Sequence, residues 1–208
     1  MKDSLYTLVY AIVLGTVCAT LLTAAARFVE PYYKSNAEAE RMRNILGVLD
    51  VPFDEDASSQ ELVAVFRKEV REETTGKLRK FLYVPSAGDG QAVAAAVPFE
   101  GQGLWGPVKG FLALEPDLRT IRGITFHEQE ETPGLGGEIA ADWFRGQFKG
   151  KRIVAEDGRA GIRIRVGAAG ANEVDAITGA TLTCQKVEAM INEAIERIVQ
   201  SKEASDDQ

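Results

Sequence analysis

The apolar residues of this chain form one long uninterrupted run near its start and shorter periodic patterns after it. Leu5–Ala26 is a run of 22 residues without a charge. As a helix it spans about 33 Å, which is enough to cross a hydrocarbon core of about 30 Å. The run therefore predicts a transmembrane helix at the N-terminal end of the chain.

Two other interpretations of this run stay open at the level of sequence. Ala24–Ala26 resembles the A-x-A site of a cleaved signal peptide, although the run is longer than a usual signal core. A lipid anchor at Cys18 is a weaker alternative, because Val17 precedes it where a small residue is expected. Basic residues flank the run on both sides, so the positive-inside rule does not decide the orientation of the helix.

The remaining pattern predicts helices, then strands, then a strand and a helix. Apolar residues at helical spacing predict helices over Ala37–Leu49 and Glu61–Glu73, the latter capped by Ser58 or Ser59. Alternating or short apolar runs bounded by Gly and Pro predict strands, with a short helix after them. The strands are Lys80–Val84, Ala92–Phe99, Val108–Leu114, Thr120–His127 and Gly161–Val166, and the short helix is Ile139–Phe148.

The clearest element is the last helix, where apolar residues follow helical spacing from Val187 to Ile198 and Thr183 is a candidate N-cap. Because helices and strands are segregated along the chain, the predicted fold class is α+β. We expect two segments, the membrane helix with its flanks at 1–34 and one α+β domain at 35–208.

Composition excludes several classes of function. Two Cys and one His are too few for the common zinc sites or for an iron–sulfur cluster within this chain. The chain has 24 basic and 31 acidic residues, a net charge of −7, and no basic block. Nucleic acid is therefore not expected as a partner.

Two familiar-looking motifs carry little weight. Gly101–Gly106 matches G-x-G-x-x-G but leads into a strand-like stretch, so a glycine-rich turn is favoured over a dinucleotide site. His127–Glu131 resembles an acid/base or metal cluster, but no second ligand-bearing segment supports it. We expect no metal ligands and no catalytic acid or base.

Glu131–Gly137, the sequence Glu-Thr-Pro-Gly-Leu-Gly-Gly, predicts a tight loop whose backbone can approach a ligand closely. Leu135 supplies the apolar side chain at its centre, on which a flat ligand could lie. A simple turn into the following helix explains the same residues, and the sequence does not decide between the two.

Asp175–Thr183 places three threonines and several small residues at the start of the last helix. Free N–H groups and the helix dipole favour an anion there. An ordinary N-cap with small neighbours is the simpler interpretation.

Taken together, Gly103–Gly106, Glu131–Gly136 and Asp175–Thr181 resemble the FMN-binding domain family. Its members include the C subunit of the sodium-translocating NADH:quinone reductase and the G subunit of the Rnf-type ferredoxin:NAD reductase. Gly-Leu-Trp-Gly and the continuation Gly136–Ile139 are more similar to the C subunit, whereas the short chain is more similar to the Rnf-type G subunit.

The resemblance implies a cofactor and its site. In this family a flavin transferase joins FMN through its phosphate to the last threonine of the motif, here Thr181. The loop is implied to lie against the isoalloxazine ring, with the residues around Thr181 beside it, and Trp105 and Trp143 are candidate walls of the site unless they belong to the core. The implied binding residues are Glu131, Thr132, Pro133, Gly134, Leu135, Gly136, Thr178, Gly179, Ala180, Thr181, Leu182 and Thr183.

The implied function is that of a membrane-anchored electron relay in a complex of the bacterial inner membrane that transports sodium and uses NADH and ubiquinone. The flavin domain is expected on the periplasmic side. Partners would be the other subunits of the complex, the flavin transferase and the membrane. The alternatives are the Rnf-type G subunit and, in a different class, a non-redox membrane-tethered binding or scaffold domain.

Overall fold

The structure, a computed structural model, describes residues 2–76, 78–155, 158–168 and 170–206, with side chains except at 2–4, 31–35 and 203–206. Its helices are α1 (Lys2–Val48), α2 (Ser59–Glu69), α3 (Asp142–Gly146) and α4 (Thr181–Asp206), and a 3₁₀ helix covers Gly136–Ala140. Its strands are β1 (Val70–Thr75), β2 (Leu78–Tyr83), β3 (Ala94–Gln102), β4 (Pro107–Leu114), β5 (Ile121–Glu128), β6 (Arg163–Arg165) and β7 (Glu173–Asp175).

The chain divides into two compact units, Met1–Ala39 and Glu40–Gln208. The first unit is helical and contains Leu5–Glu30, a candidate membrane span of 26 residues with a mean hydropathy of 2.1 and no buried residues. Length and composition make this helix able to cross a membrane, and a signal sequence would satisfy the same criteria.

The second unit is built on an antiparallel meander in the order β1-β2-β3-β4-β5. Alternation along β4 sends Val108, Leu112 and Leu114 to one face and Phe111 and Ala113 to the other. The first face packs against α4, α3 and the 3₁₀ helix, whereas the second packs against α2 and the last turns of α1. Both faces of the sheet are therefore buried, and the α+β class predicted from the sequence is confirmed.

Several predicted elements have different bounds in the structure. The predicted helix 37–49 is the end of α1, because a change from apolar to polar composition does not end a helix that is rich in Ala, Glu and Arg. The helix predicted to reach Glu73 ends at Glu69, and Val70–Thr75 instead pairs with β2 across a turn at Gly76, whose φ is +59°. Strand β7, which pairs in parallel with β6, was not predicted.

The predicted helix 139–148 is interrupted at Ala141, whose backbone is extended. Ile139, Phe144 and Phe148 are all fully buried. At about 100° per residue, Ile139 and Phe148 would face opposite sides of one continuous helix. The interruption is what lets both side chains reach the same core.

Gly110 in β4 gives a test of this packing. A Cβ at Gly110 would overlap the carbonyl oxygen of Thr125 and the buried ring of Phe99. Gly110→Ala should therefore lower the free energy of unfolding by about 3 kcal/mol or more. Gly123→Ala in β5 is the control, because its Cβ would make only ordinary contacts at 3.5 Å or more. Urea unfolding of the detergent-solubilised chain measures both, and equal effects would contradict the packing described.

Candidate functional site

The side chain of Glu131 lies at the point where three loops of the second unit meet. It follows the end of β5 and is only 4% exposed. Its Oε1 accepts hydrogen bonds from the backbone N–H groups of Leu104 (2.7 Å) and Trp105 (3.2 Å). Its Oε2 accepts one from the hydroxyl of Thr183 (2.6 Å). One carboxylate therefore joins the β3–β4 turn and the first turn of α4 to its own loop.

Two glycines are required by the close approach of this carboxylate. A Cβ at Gly103 would lie 2.5 Å from Oε1 of Glu131. A Cβ at Gly136 would lie 2.7 Å from Oε2 of Glu131 and 2.6 Å from the hydroxyl oxygen of Thr183. These glycines in the first two motifs thus serve the same contact, which could not be inferred from their spacing.

The loop after Glu131 folds tightly around its own backbone. The carbonyl oxygen of Thr132 accepts hydrogen bonds from the N–H groups of Leu135 (3.1 Å) and Gly137 (2.9 Å). Gly134 has a φ of +75°, a conformation that favours glycine. The loop presents exposed Thr132, Pro133 and Leu135 on the surface.

Leu135 covers the segment that precedes α4. It is 43% exposed, and a Cβ at Gly179 would lie 3.1 Å from its Cδ2. Gly179 itself has a φ of +80°. The bare backbone at Gly179 therefore leaves room for the Leu135 side chain, and the second and third motifs touch here.

The three threonines of the last motif have different environments. Thr183 is 2% exposed and its hydroxyl is engaged by Glu131, whereas Thr178 and Thr181 are exposed. Helix α4 begins at Thr181, and the N–H of Cys184 bonds to the carbonyl of Ala180. The prediction of Thr183 as the N-cap is therefore wrong, because Thr183 lies inside the first turn and faces the core.

The side chain of Cys184 is hydrogen-bonded to the backbone of the segment that precedes α4. Its Sγ accepts a hydrogen bond from the N–H of Ile177 at 3.4 Å. Burial raises the pKa of the Cys184 thiol, so at neutral pH it stays protonated. In an α-helix the first N–H groups have no intrahelical acceptor, and in α4 the N–H groups before that of Cys184 are such groups at the helix end that contains Thr181. They can stabilise an anion there.

Exposed apolar side chains occur on each of the three segments that meet at Glu131. Trp105, on the turn bound by Glu131, is 67% exposed, and Leu104 beside it, Leu135 and Leu182 are exposed as well. Trp143 on α3 is 51% exposed and donates its Nε1–H to Glu138 at 3.1 Å. The sequence left open whether the two tryptophans belong to the core or could line the site. The structure shows that neither belongs to the core.

The structure thus brings together the implied binding residues. Some of them are buried and others are exposed, a difference that the sequence did not show. The Glu131 side chain and Thr183 face inward and Ala180 and Gly136 are buried, while Thr132, Pro133, Gly134, Leu135, Thr178, Gly179, Thr181 and Leu182 are exposed. The N–H groups of Leu104 and Trp105 are not among the site groups predicted from the sequence, because backbone donors leave no signature in a sequence. The only sign of this turn in the sequence is the pair Gly103 and Gly106. The backbone N–H of Gly103 donates to the carbonyl of Gly106 at 2.8 Å and closes the turn.

The two motifs that carried little weight in the sequence form a turn and the end of a strand. Gly101–Gly106 spans the end of β3 and the turn into β4, as predicted. His127 stacks on Phe111 at 4.9 Å between ring centroids, and burial lowers its pKa. Across the part of the chain that the structure describes, no group of three or more His, Cys, Asp or Glu side chains could hold a metal ion.

Comparisons with known proteins point to one family. Residues 103–196 match the family model described as FMN-binding domain, a segment that contains all three motifs. Similar curated proteins include the C subunit of the Na(+)-translocating NADH-quinone reductase of Pasteurella multocida, 41% identical over 51% of this chain and 42% of that protein. The protein of that name from Haemophilus ducreyi is 29% identical over 90% of this chain and 88% of its own length.

Solved structures agree with the fold. The structure of the C subunit of the Na(+)-translocating NADH-quinone reductase from Parabacteroides distasonis matches with a TM-score of 0.69 and 26% identity, over 83% of this chain and 96% of that one. Shewanella oneidensis NqrC matches with a TM-score of 0.64 over 78% of this chain and 96% of that chain at 24% identity, which speaks for the fold alone. The chain covers less than half of the length of the first curated relatives it matches.

The bond between Thr183 and Glu131 can be tested in the protein without ligand. Thr183→Val removes a buried donor to a carboxylate and should lower the free energy of unfolding by about 1.5–3 kcal/mol. Thr178→Val, at an exposed position in the same segment, is the control and should change it by about 0.5 kcal/mol or less. Chemical unfolding followed by far-UV circular dichroism measures both variants, and a neutral Thr183→Val would contradict the bond.

Proposed function

We propose that this chain, whose residues 103–196 match the model of the FMN-binding domain family, is a membrane-anchored electron-transfer protein that carries covalent FMN within a sodium-translocating NADH:quinone reductase. The observation that carries the proposal is that the first family motif and Thr183, two residues after the third motif, both donate hydrogen bonds to the carboxylate of Glu131 in the second motif. The names of the curated relatives favour this reductase over the Rnf-type complex and over a non-redox scaffold.

The exposed residues around Glu131 fit the chemistry of FMN. Leu104, Trp105, Leu135 and Leu182 offer apolar surface for the isoalloxazine ring. The first turn of α4 offers N–H donors and the positive end of a helix dipole for the phosphate. When bound, FMN supplies the capacity to take up electrons from one carrier and pass them to another. The chain's own residues bind and orient it, and no side chain is assigned as a general acid or base.

Burial supports Thr181 as the attachment point. Thr183 is buried and its hydroxyl is committed to Glu131, so it is inaccessible to a transferase. Thr178 and Thr181 are both exposed, and only Thr181 is the first residue of α4. A phosphodiester retains one negative charge, which the helix N-terminus at Thr181 stabilises. The family motif selects the same residue.

The anchor and the location are part of the proposal. We take residues 1–34 as a retained membrane anchor and residues 35–208 as the flavin domain on the periplasmic side of the bacterial inner membrane. The apolar helix Leu5–Glu30 and the relatives' names support a membrane-anchored subunit. The other subunits of the complex and a flavin transferase are then its partners, and NADH and ubiquinone are the substrates of the complex.

Covalent attachment gives the direct test. The full chain, produced together with a flavin transferase, should yield a peptide containing Thr181 that is heavier by the mass of FMN minus water. Thr181→Ala should abolish this adduct, because it removes the only atom that can form the ester. Mass spectrometry of the digested protein measures both.

Matched controls separate the three threonines. Thr178→Ala should keep the adduct on Thr181, and Thr181→Ser should restore a hydroxyl and with it some adduct. An adduct that persists in Thr181→Ala would move the attachment site elsewhere. A wild-type chain without any flavin, made beside a transferase that modifies a known target, would refute the proposal in favour of the scaffold alternative.

Topology is tested separately. Alkaline phosphatase fused after Gln208 folds only when it is exported, so the fusion should be active in intact bacteria. The full chain should keep its N-terminal residues in the membrane fraction. Activity confined to a cytoplasmic reporter at the same position would overturn the periplasmic location, and a mature N-terminus near Arg27 would indicate a cleaved signal instead.

A further inference from the structure

The turn between β3 and β4 depends on a residue outside it for its shape. Within the turn the N–H of Gly103 bonds to the carbonyl of Gly106, and the N–H groups of Leu104 and Trp105 both point to Oε1 of Glu131. The side chains of Leu104 and Trp105 are exposed. Because neither side chain is buried in the core, we expect the hydrogen bonds to Glu131 to restrain the position of the turn tip.

The same carboxylate also contacts the first turn of α4. Its Oε2 takes the hydroxyl of Thr183, one half-turn along the helix from Thr181. Glu131 is itself the first residue of the loop that carries Leu135. One side chain therefore links the turn tip, the Leu135 loop and the first turn of α4, which contains Thr181.

A carboxylate matches this position better than any other side chain. Two N–H groups and one O–H converge on it, so every partner is a donor. An ionised carboxylate is an acceptor only, with capacity for all three. A glutamine keeps the shape and one acceptor oxygen, but its NH₂ group meets the Thr183 hydroxyl as a donor. An alanine leaves all three donors without a buried acceptor.

We propose that Glu131 is the positioning residue of the flavin site: it acts through the turn tip and the first turn of α4 and does not itself touch the flavin. This inference rests on the proposed function. It also revises the expectation that Glu131 lies against the isoalloxazine ring, because its side chain is buried beneath the surface that the loops present.

The first test uses the chain without flavin, in which Trp105 reports on the turn tip. In a Trp143→Phe background, Trp105 is the only tryptophan of the full chain. Glu131→Ala should lower the fluorescence anisotropy of Trp105, because the tip loses its restraint. Glu131→Gln should lie between this variant and the parent. Glu128→Ala, an exposed glutamate three residues away, should match the parent.

The second test uses the flavin-loaded full chain. Thr181 is exposed and its hydroxyl is unchanged in these variants, so flavin should still be attached. The visible circular dichroism of the flavin should weaken in Glu131→Ala and be largely restored in Glu131→Gln, which a general loss of stability would not produce. Far-UV circular dichroism identifies a variant that fails to fold. If Glu131→Ala does not fold, the flavin dichroism of the double variant Glu131→Gln with Thr183→Val is compared with that of the parent instead.

The outcomes separate this inference from the proposed function. The positioning role would be overturned, with the flavin proposal intact, by Trp105 behaviour and flavin dichroism identical to the parent in folded Glu131→Ala, or by flavin dichroism identical to the parent in Glu131→Gln combined with Thr183→Val. A wild-type chain that never carries flavin would overturn the proposed function, and the Trp105 measurement would still decide what holds the turn.

Discussion

The buried carboxylate of Glu131 is shared by three segments that lie far apart in the sequence. It accepts hydrogen bonds from residues 104 and 105 on one side and from residue 183 on the other. A buried charge is tolerated only when it is well solvated by donors, so these three bonds and the burial of Glu131 depend on one another. The glycines at 103 and 136 follow from the same constraint, since a Cβ at either position would occupy the space of the carboxylate.

The rest of the second unit brings these segments to one place. The β3–β4 turn and the end of β5 lie close together because β3, β4 and β5 are neighbours in one antiparallel sheet. Helix α4 packs on the face of this sheet through Val187, Ile191 and Ile195, which carries its N-terminus toward Glu131. The interruption at Ala141 then lets Ile139 and Phe144 close the same core beneath the loop.

Much of this arrangement can be predicted from local patterns in the sequence. The period of apolar residues in α4, the alternation in β4 and the glycine-rich turn after β3 were all predicted, since each depends on neighbouring residues. The end of α2 at Glu69 was missed because Val70 suits a helix face and a strand equally well, and only its pairing with Tyr83 decides. The three motifs were found as separate patterns, and their meeting point was not.

What the sequence could not show is which polar side chains face inward. Glu131 looks like the surface glutamates at 128 and 130, and Thr183 looks like Thr178 and Thr181, yet tertiary contacts bury Glu131 and Thr183. The roles assigned to these residues depend on which of them are buried and which are exposed. Glu131 and Thr183 hold the site together, and the exposed Leu135 and Thr181 are left to meet a ligand.

The most direct measurement is a crystal structure of the chain after flavin loading. We expect phosphate density continuous with Oγ1 of Thr181, the isoalloxazine ring against Leu135, and the Glu131 carboxylate still bonded to the N–H of Leu104 and the hydroxyl of Thr183. Flavin density remote from Thr181 and Leu135, or a Glu131 side chain turned out to contact the ring, would contradict these assignments.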